Sequence, residues 1–245
     1  TKDNIEGATA VVLSEIINSF TSSGIEVVLL QGNHDLIQRS TDRSLCDIYR
    51  NDKVSVIKQP TVLHDLLLLP YDHDVNPEIP ELVLTTKSQI CISHMPLEGY
   101  ELHAGIVDTG LDISTMSSIG IIMQAHYHRP ADFIWSEKGS KRVIVLGSVI
   151  PWNWNDIFKM GDPPRSVCFI DPETYQISKY EHWHGSDFVE INVDNTDDVF
   201  VEMIAKSVSN PSIKFTGSEK LIDQRREALL SMFTSVNRVL IQPTV

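Results

Sequence analysis

Asn33, His34, His94, His126 and His128 are the residues of this chain whose types suit work on a charged substrate. First-row divalent cations accept amide oxygens and imidazole nitrogens, and a two-metal hydrolytic centre needs several of these arriving from separate loops. The amide of Asn33 offers a neutral oxygen. His126 and His128 stand two residues apart, so one loop sends two imidazoles toward neighbouring ions. His34 directly follows the amide and is placed to face a reacting phosphate without binding metal. An imidazole that carries charge or gives a proton there stabilises the leaving oxygen. Singly, each feature has a plainer reading: His94 as a hydrogen-bonded loop histidine, GNHD as a turn with Asp35 as cap, His-x-His as coincidence. All three in this order, each behind an apolar strand, favour the metal reading.

Those strands are legible in the apolar pattern. Ile25 to Leu30 is β-branched and leucine-rich without polar alternation, as expected of a strand buried on both faces, and it ends on Gly32-Asn33-His34-Asp35. Ile90 to Ile92 ends on Ser93-His94, and Ile119 to Gln124 ends on Ala125-His126-Tyr127-His128. The carboxyl edge of an open α/β sheet is where ligands bind. Upstream, Asp3-x-x-Glu6 reads as a capping box, and Ile5, Ala8, Val12, Ile16 and Phe20 form an apolar helical face that stops at Gly24. The pattern also predicts a helix around Leu45 to Tyr49 and strands at 54–57, 61–63 and 66–69. Hairpins are expected around EKGS (133–136 with 142–146) and DPET (167–170 with 176–182). Beyond Gly185 a β-α-β-α-β order follows: strand 188–193 with Asp194 as a cap, helix 197–208, strand 213–215, helix 219–233 and strand 239–241.

Composition bounds the reading. The chain has 245 residues, 42% of them hydrophobic, which supports one large domain with a smaller appendage. No apolar run reaches membrane-span length, and no basic leader precedes an apolar segment, so a cytoplasmic protein without membrane attachment is expected. Cys46, Cys91 and Cys168 show no paired spacing and read as reduced core thiols. A net charge of −13 argues against strong DNA binding by the chain itself. Lys138, Lys141 and Arg142 form a local basic cluster, read as a solvated hairpin.

GNHD, SHMPLEGYE and AHYHRP resemble the motifs GNH[DE], GH and GHxH of the calcineurin-like metallophosphoesterases, with Ser93 and Ala125 in place of two glycines. VLGSVIPWNWND and GDPPRSVCFIDPETYQI are similar to the segments that follow GHxH in the SbcD-type DNA repair nucleases, the recombination endonuclease subunits of tailed phages among them. The resemblance spans Ile5 to His182 and implies an α/β fold: a metallophosphoesterase β-sandwich flanked by helices, N-terminally incomplete, with a small C-terminal α/β domain. It places the nuclease domain at 1–184 and the capping domain at 185–245. Carried over residue by residue, Asn33, His94 and His126 would ligate one ion, His128 the other, and His34 would be the catalytic imidazole. The implied cofactors are two divalent ions, manganese foremost and magnesium the alternative. The implied reaction is hydrolysis of DNA phosphodiesters, as 3′-to-5′ exonuclease and single-strand endonuclease. The implied partners are DNA, an SbcC-type coiled-coil ATPase that carries much of the DNA affinity, and a second copy of the chain.

The family's Asp-x-His and Gly-Asp-x-x-Asp motifs, which supply further ligands, do not occur before Asn33. The expectation is therefore a fragment or split protein that holds at most one well-coordinated ion and is nearly inactive alone. Asp35, Asp72 and Asp74 are the carboxylates that would have to substitute, though structural or solvent-facing roles are expected for all three. His64, His73 and His103 read as loop histidines, His182 and His184 as packing near the domain junction, and Trp152 and Trp154 as half-buried packing rather than a base-stacking pair. A non-catalytic scaffold of the same fold, and a phosphatase or cyclic-nucleotide phosphodiesterase, are the competing readings.

Overall fold

Gly24, at φ +82°, terminates helix α1 (Gly7–Ser22) in the left-handed conformation that glycine adopts without steric cost. The computed structural model describes residues 7–37, 40–72, 79–103, 106–148, 165–171, 173–182, 188–207 and 211–244. The capping box at Asp3, His73, Asp74, Trp152, Trp154 and His184 lie outside the described residues. Along α1 the stripe Val12, Ile16 and Phe20 is about half exposed, and Leu13 and Ile17 face the core instead. Both stripes are apolar, and the one that is buried lies against Val27, Leu29, Tyr49 and Val54.

After α1 come β1 (Val27–Leu30), β2 (Leu36–Ile37), β3 (Ser40–Ser44), β4 (Val54–Ile57), β5 (Thr61–Leu63) and β6 (Leu66–Leu69). Strand β1 pairs in parallel with β4, and no described strand pairs with its other edge. None of its four residues is fully buried and Val28 is exposed, so the expected two-face burial does not hold. An apolar run needs elements on both faces before it becomes interior. The helix expected at 45–49 is a single 3-10 turn, capped by the Ser44 hydroxyl, which accepts from the Cys46 amide.

Helix α2 (Ile79–Thr85), β7 (Ile90–Ser93), β8 (Glu101–His103), β9 (Ile106–Val107), β10 (Ile121–Gln124), β11 (Ala131–Trp135) and β12 (Lys141–Val145) follow. Strands β11, β12, β10, β7, β6 and β5 form one six-stranded sheet in that order. Its centre is parallel: Leu69 is level with Ser93, and Ser93 with Gln124. Leu67, Leu69, Ile90, Cys91 and Ile122 are essentially inaccessible to solvent, as expected of parallel strands covered on both faces. The level ends bring His94 and His126 out at the same edge of the sheet. The basic cluster is not a solvated patch: Lys138 pairs with Asp112 at 2.8 Å, and Lys141 is buried, donating to the Met116 and Ile119 carbonyls at 2.6 and 2.7 Å. His64 fits its loop assignment, occupying with Asp65 the positive-φ turn between β5 and β6.

Strands β13 (Arg165–Ile170) and β14 (Ile177–His182) form an antiparallel hairpin. Then come β15 (Phe188–Asn192), α3 (Asp198–Ser207), β16 (Ser212–Gly217), α4 (Glu219–Leu230) and β17 (Arg238–Pro243). Strands β15, β16 and β17 make an all-parallel sheet, so α3 and α4 are crossover helices. Val189, Ile191, Val201, Ile213, Phe215, Ile222 and Leu229 form its core. The helix-capping residue here is Asp197, which accepts from the Val199 amide at 2.6 Å; Asp194, expected in that role, accepts instead from the Ser218 amide at the start of α4.

The chain divides into two compact units: Thr1–His126, Phe133–Ile144 and Pro172–Tyr175 form one, and Tyr127–Asp132, Val145–Asp171 and Gln176–Val245 the other. The fold is mixed α/β, with a largely parallel central sheet and four α-helices among the described residues. All three cysteines are free thiols, and Cys91 alone is fully buried. Among the described residues, no helix is long and apolar enough to cross a membrane.

Candidate metal centre

Three of the residues singled out in the sequence meet in the first unit. The Asn33 Oδ1 lies 3.2 Å from His94 Nε2, across 61 residues of chain. The His94 and His126 rings stand edge to face with centroids 5.4 Å apart. Tyr71, which follows β6, stacks on His126 with ring centroids 6.0 Å apart. The three loops are held by main-chain bonds that extend the sheet past its strands. The His94 amide donates to Leu69 O, the Ala125 amide to Ser93 O and the Tyr71 amide to Gln31 O, each at 2.8 or 2.9 Å.

Asn33, His34 and Asp35 form one turn of 3-10 helix after Gly32. Asp35 closes that turn by accepting from the Gly32 amide at 2.8 Å. Gly32 has an extended backbone (φ −100°, ψ 173°) that any residue can adopt. Its lack of a side chain has another cause: a Cβ there would lie 2.7 Å from His94 Cε1 and 2.8 Å from Nε2. The glycine leaves the space in which the imidazole reaches Asn33. His34 is exposed at the surface of the turn, clear of the Asn33–His94 contact.

Burial raises the Asp35 carboxyl above the ordinary carboxylate range, opposed by the Gly32 amide, by His34 and by the Cys46 thiol. The same burial, with Asp35 beside it, pushes Cys46 up to about 11. Asp35 is thus a partly buried group that closes the turn. A carboxyl held above its unfolded value binds its proton more tightly when folded. Its stabilising contribution is full below the unfolded value and is lost as pH rises through the folded one. An Asp35→Asn variant keeps an acceptor for the Gly32 amide and removes the charge. Its stability relative to the parent is expected to improve between pH 4 and pH 7, read from urea denaturation at the two pH values. A difference that moves the other way would mean that the carboxylate is stabilised where it sits.

Asn33, His94 and His126 fit a divalent cation. Two donors at right angles on an ion about 2.1 Å away lie about 3 Å apart, close to the observed Asn33–His94 separation. A cation bound there would take the place of the proton shared by the two atoms. Among the described residues, no three His, Cys, Asp or Glu side chains gather closely enough to hold an ion. The assembled set is two imidazoles with an amide. Asp72 makes a main-chain contact with the Met95 sulfur at 3.2 Å.

His128 belongs to the second unit, where its backbone is tightly held. Its carbonyl accepts from the Ser148 amide at 3.0 Å and from the buried Arg165 guanidinium at 3.0 Å; Arg165 also donates to the Ser148 carbonyl. Gly147, at φ +74°, passes so close that a Cβ would lie 3.1 Å from that carbonyl.

Sequence reasoning missed Tyr71, Gln124 and Arg165. The available signals were an aromatic at the end of β6, in YDHD, and a lone amide closing an otherwise apolar strand, IIMQ. Compared with protein-family models and with curated proteins, the chain has no significant match.

Proposed function

We propose that this chain carries a phosphodiesterase centre of the calcineurin-like type and is a subunit of a DNA repair or recombination nuclease. The observation that carries the reading is the convergence of Asn33, His94 and His126, with Asn33 Oδ1 3.2 Å from His94 Nε2. Asn33, His94 and His126 would hold one divalent ion, manganese or magnesium; the assignment of His128 to a second ion rests on the family resemblance alone. When bound, such ions polarise the phosphoryl oxygens and lower the pKa of water to supply a nucleophile at neutral pH. His34, exposed one residue beyond Asn33, faces the scissile group and donates a proton to the departing oxygen. Gly32 and Asp35 keep Asn33 and His34 in one rigid turn.

The net charge of −13 assigns most DNA affinity to a partner. The partner is an SbcC-type coiled-coil ATPase, and the nuclease subunit acts as a homodimer in the cytoplasm. The acidic net charge also favours a second reading, a non-catalytic scaffold of the same fold.

Manganese titration by calorimetry, paired with labelled duplex DNA, separates the two. One ion per chain, lost on His94→Ala, with slow cleavage is the expected result. No binding at all would sink the enzyme reading in favour of the scaffold. Robust cleavage by the chain alone would show that other groups make good the missing carboxylates.

A further inference from the structure

Gln124 is fully buried at the end of β10, in the middle of the six-stranded sheet, where an aliphatic residue would be the inexpensive choice. Both ends of its amide are used. Its Oε1 accepts from the His126 amide at 2.9 Å, and its Nε2 donates to the Met95 carbonyl at 2.7 Å. The orientation is forced, because a peptide N–H can only donate and a peptide carbonyl only accept. Level with it on β7, buried Ser93 makes the corresponding contact in its own loop: its Oγ accepts from the Met95 amide at 3.0 Å. Two neighbouring parallel strands thus end in the same device, a side chain turning back to the amide two residues on. Gln124 adds the cross-link from the loop that bears His126 to the loop that bears His94.

We infer that Gln124 is a positioning residue that fixes the His94 and His126 imidazoles relative to each other, so that both can serve one cation. The inference rests on the metal-centre reading above. The amide touches the main chain next to each histidine, so it acts on where the loops stand and not on a ring nitrogen. Ser93 alone secures only the His94 side. Without Gln124 the bond from the Ala125 amide to Ser93 O still joins the two loops, but the His126 amide and the Met95 carbonyl lose the second tie between them.

The test uses Gln124→Met, of similar length but unable to form either bond, and Gln124→Asn, which keeps an amide one methylene too short to span both partners. Manganese affinity is measured by calorimetry on the full chain, and the imidazole signals of His94 and His126 are recorded by NMR without metal. Both variants are expected to weaken manganese binding by about ten- to a hundredfold, the usual effect of removing a group that orients a ligand. Their His126 ring signals should shift or broaden while those of exposed His64 stay put. If the parent binds manganese and a folded variant binds it equally well, the inference fails and the metal centre stands. If the parent binds none, the metal-centre reading fails, and unchanged ring signals in a folded variant would remove the positioning role as well. Should Gln124→Met not fold, Gln124→Asn decides by the same two readouts.

Discussion

A Gly32→Ala substitution is expected to lower manganese affinity by about ten- to a hundredfold while leaving the core of β15, β16 and β17 folded. The added Cβ would lie 2.7 Å from His94 Cε1, whereas comfortable carbon contacts begin near about 3.5 Å. The imidazole must therefore withdraw by about 0.8 Å, and disturbing the orientation of a metal ligand costs about ten- to a hundredfold in affinity. With its backbone anchored, the ring gives way by swinging about its side-chain torsions, which carries Nε2 away from Asn33. The His94 amide is bonded to Leu69 O, and the following residue is tied to Ser93 and Gln124. The backbone at Gly32 suits alanine, so conformational strain is not an alternative cause. Overpacking of this kind costs about 1–3 kcal/mol of stability, which denaturation curves will show beside the titration. Unchanged affinity in Gly32→Ala would mean that His94 does not need its present position, and the proposed centre would be misassigned.

The second large effect concerns turnover rather than binding. His34→Gln should bind manganese as the parent does, because His34 is exposed and makes no part of the Asn33–His94 contact. Cleavage of an unactivated DNA diester should fall about 10²- to 10⁴-fold, the range for loss of a positioned proton donor. A nitrophenyl diester, whose leaving group departs without a proton, should lose little. Single-turnover assays with the chain in excess make slow rates readable. Loss of metal binding in this variant would make His34 a ligand. Equal losses on both substrates would make it a structural part of the turn.

The two effects bear on different atoms of one turn. Gly32 controls whether His94 can approach Asn33, and in the proposed reaction His34 would control what happens to the oxygen that leaves. Together with Gln124 they divide the site into ligands, the spacing between ligands and the proton donor. Each part has its own readout: metal affinity, ring signals and substrate dependence.

Much of this site was legible in the residues themselves. Apolar runs punctuated by Gly-Asn, Ser-His and Ala-His mark strands and their ends, since burial and turn chemistry are local properties. The β-α-β-α-β order after Gly185 was readable for the same reason, and β15, α3, β16, α4 and β17 appear in it within a few residues of their expected bounds. Tertiary structure alone decided the rest. Periodicity makes Val12, Ile16 and Phe20 as good a core stripe as Leu13 and Ile17, and only the position of β1 and β4 selects between them. Strand register, which sets Leu69, Ser93 and Gln124 level, is a property of pairing and not of any one strand. The contacts that make a site out of separate histidines, Asn33 with His94 and Gln124 with Met95, join residues 61 and 29 positions apart. Local signals name the residues, but only closure of the chain over such distances brings them together.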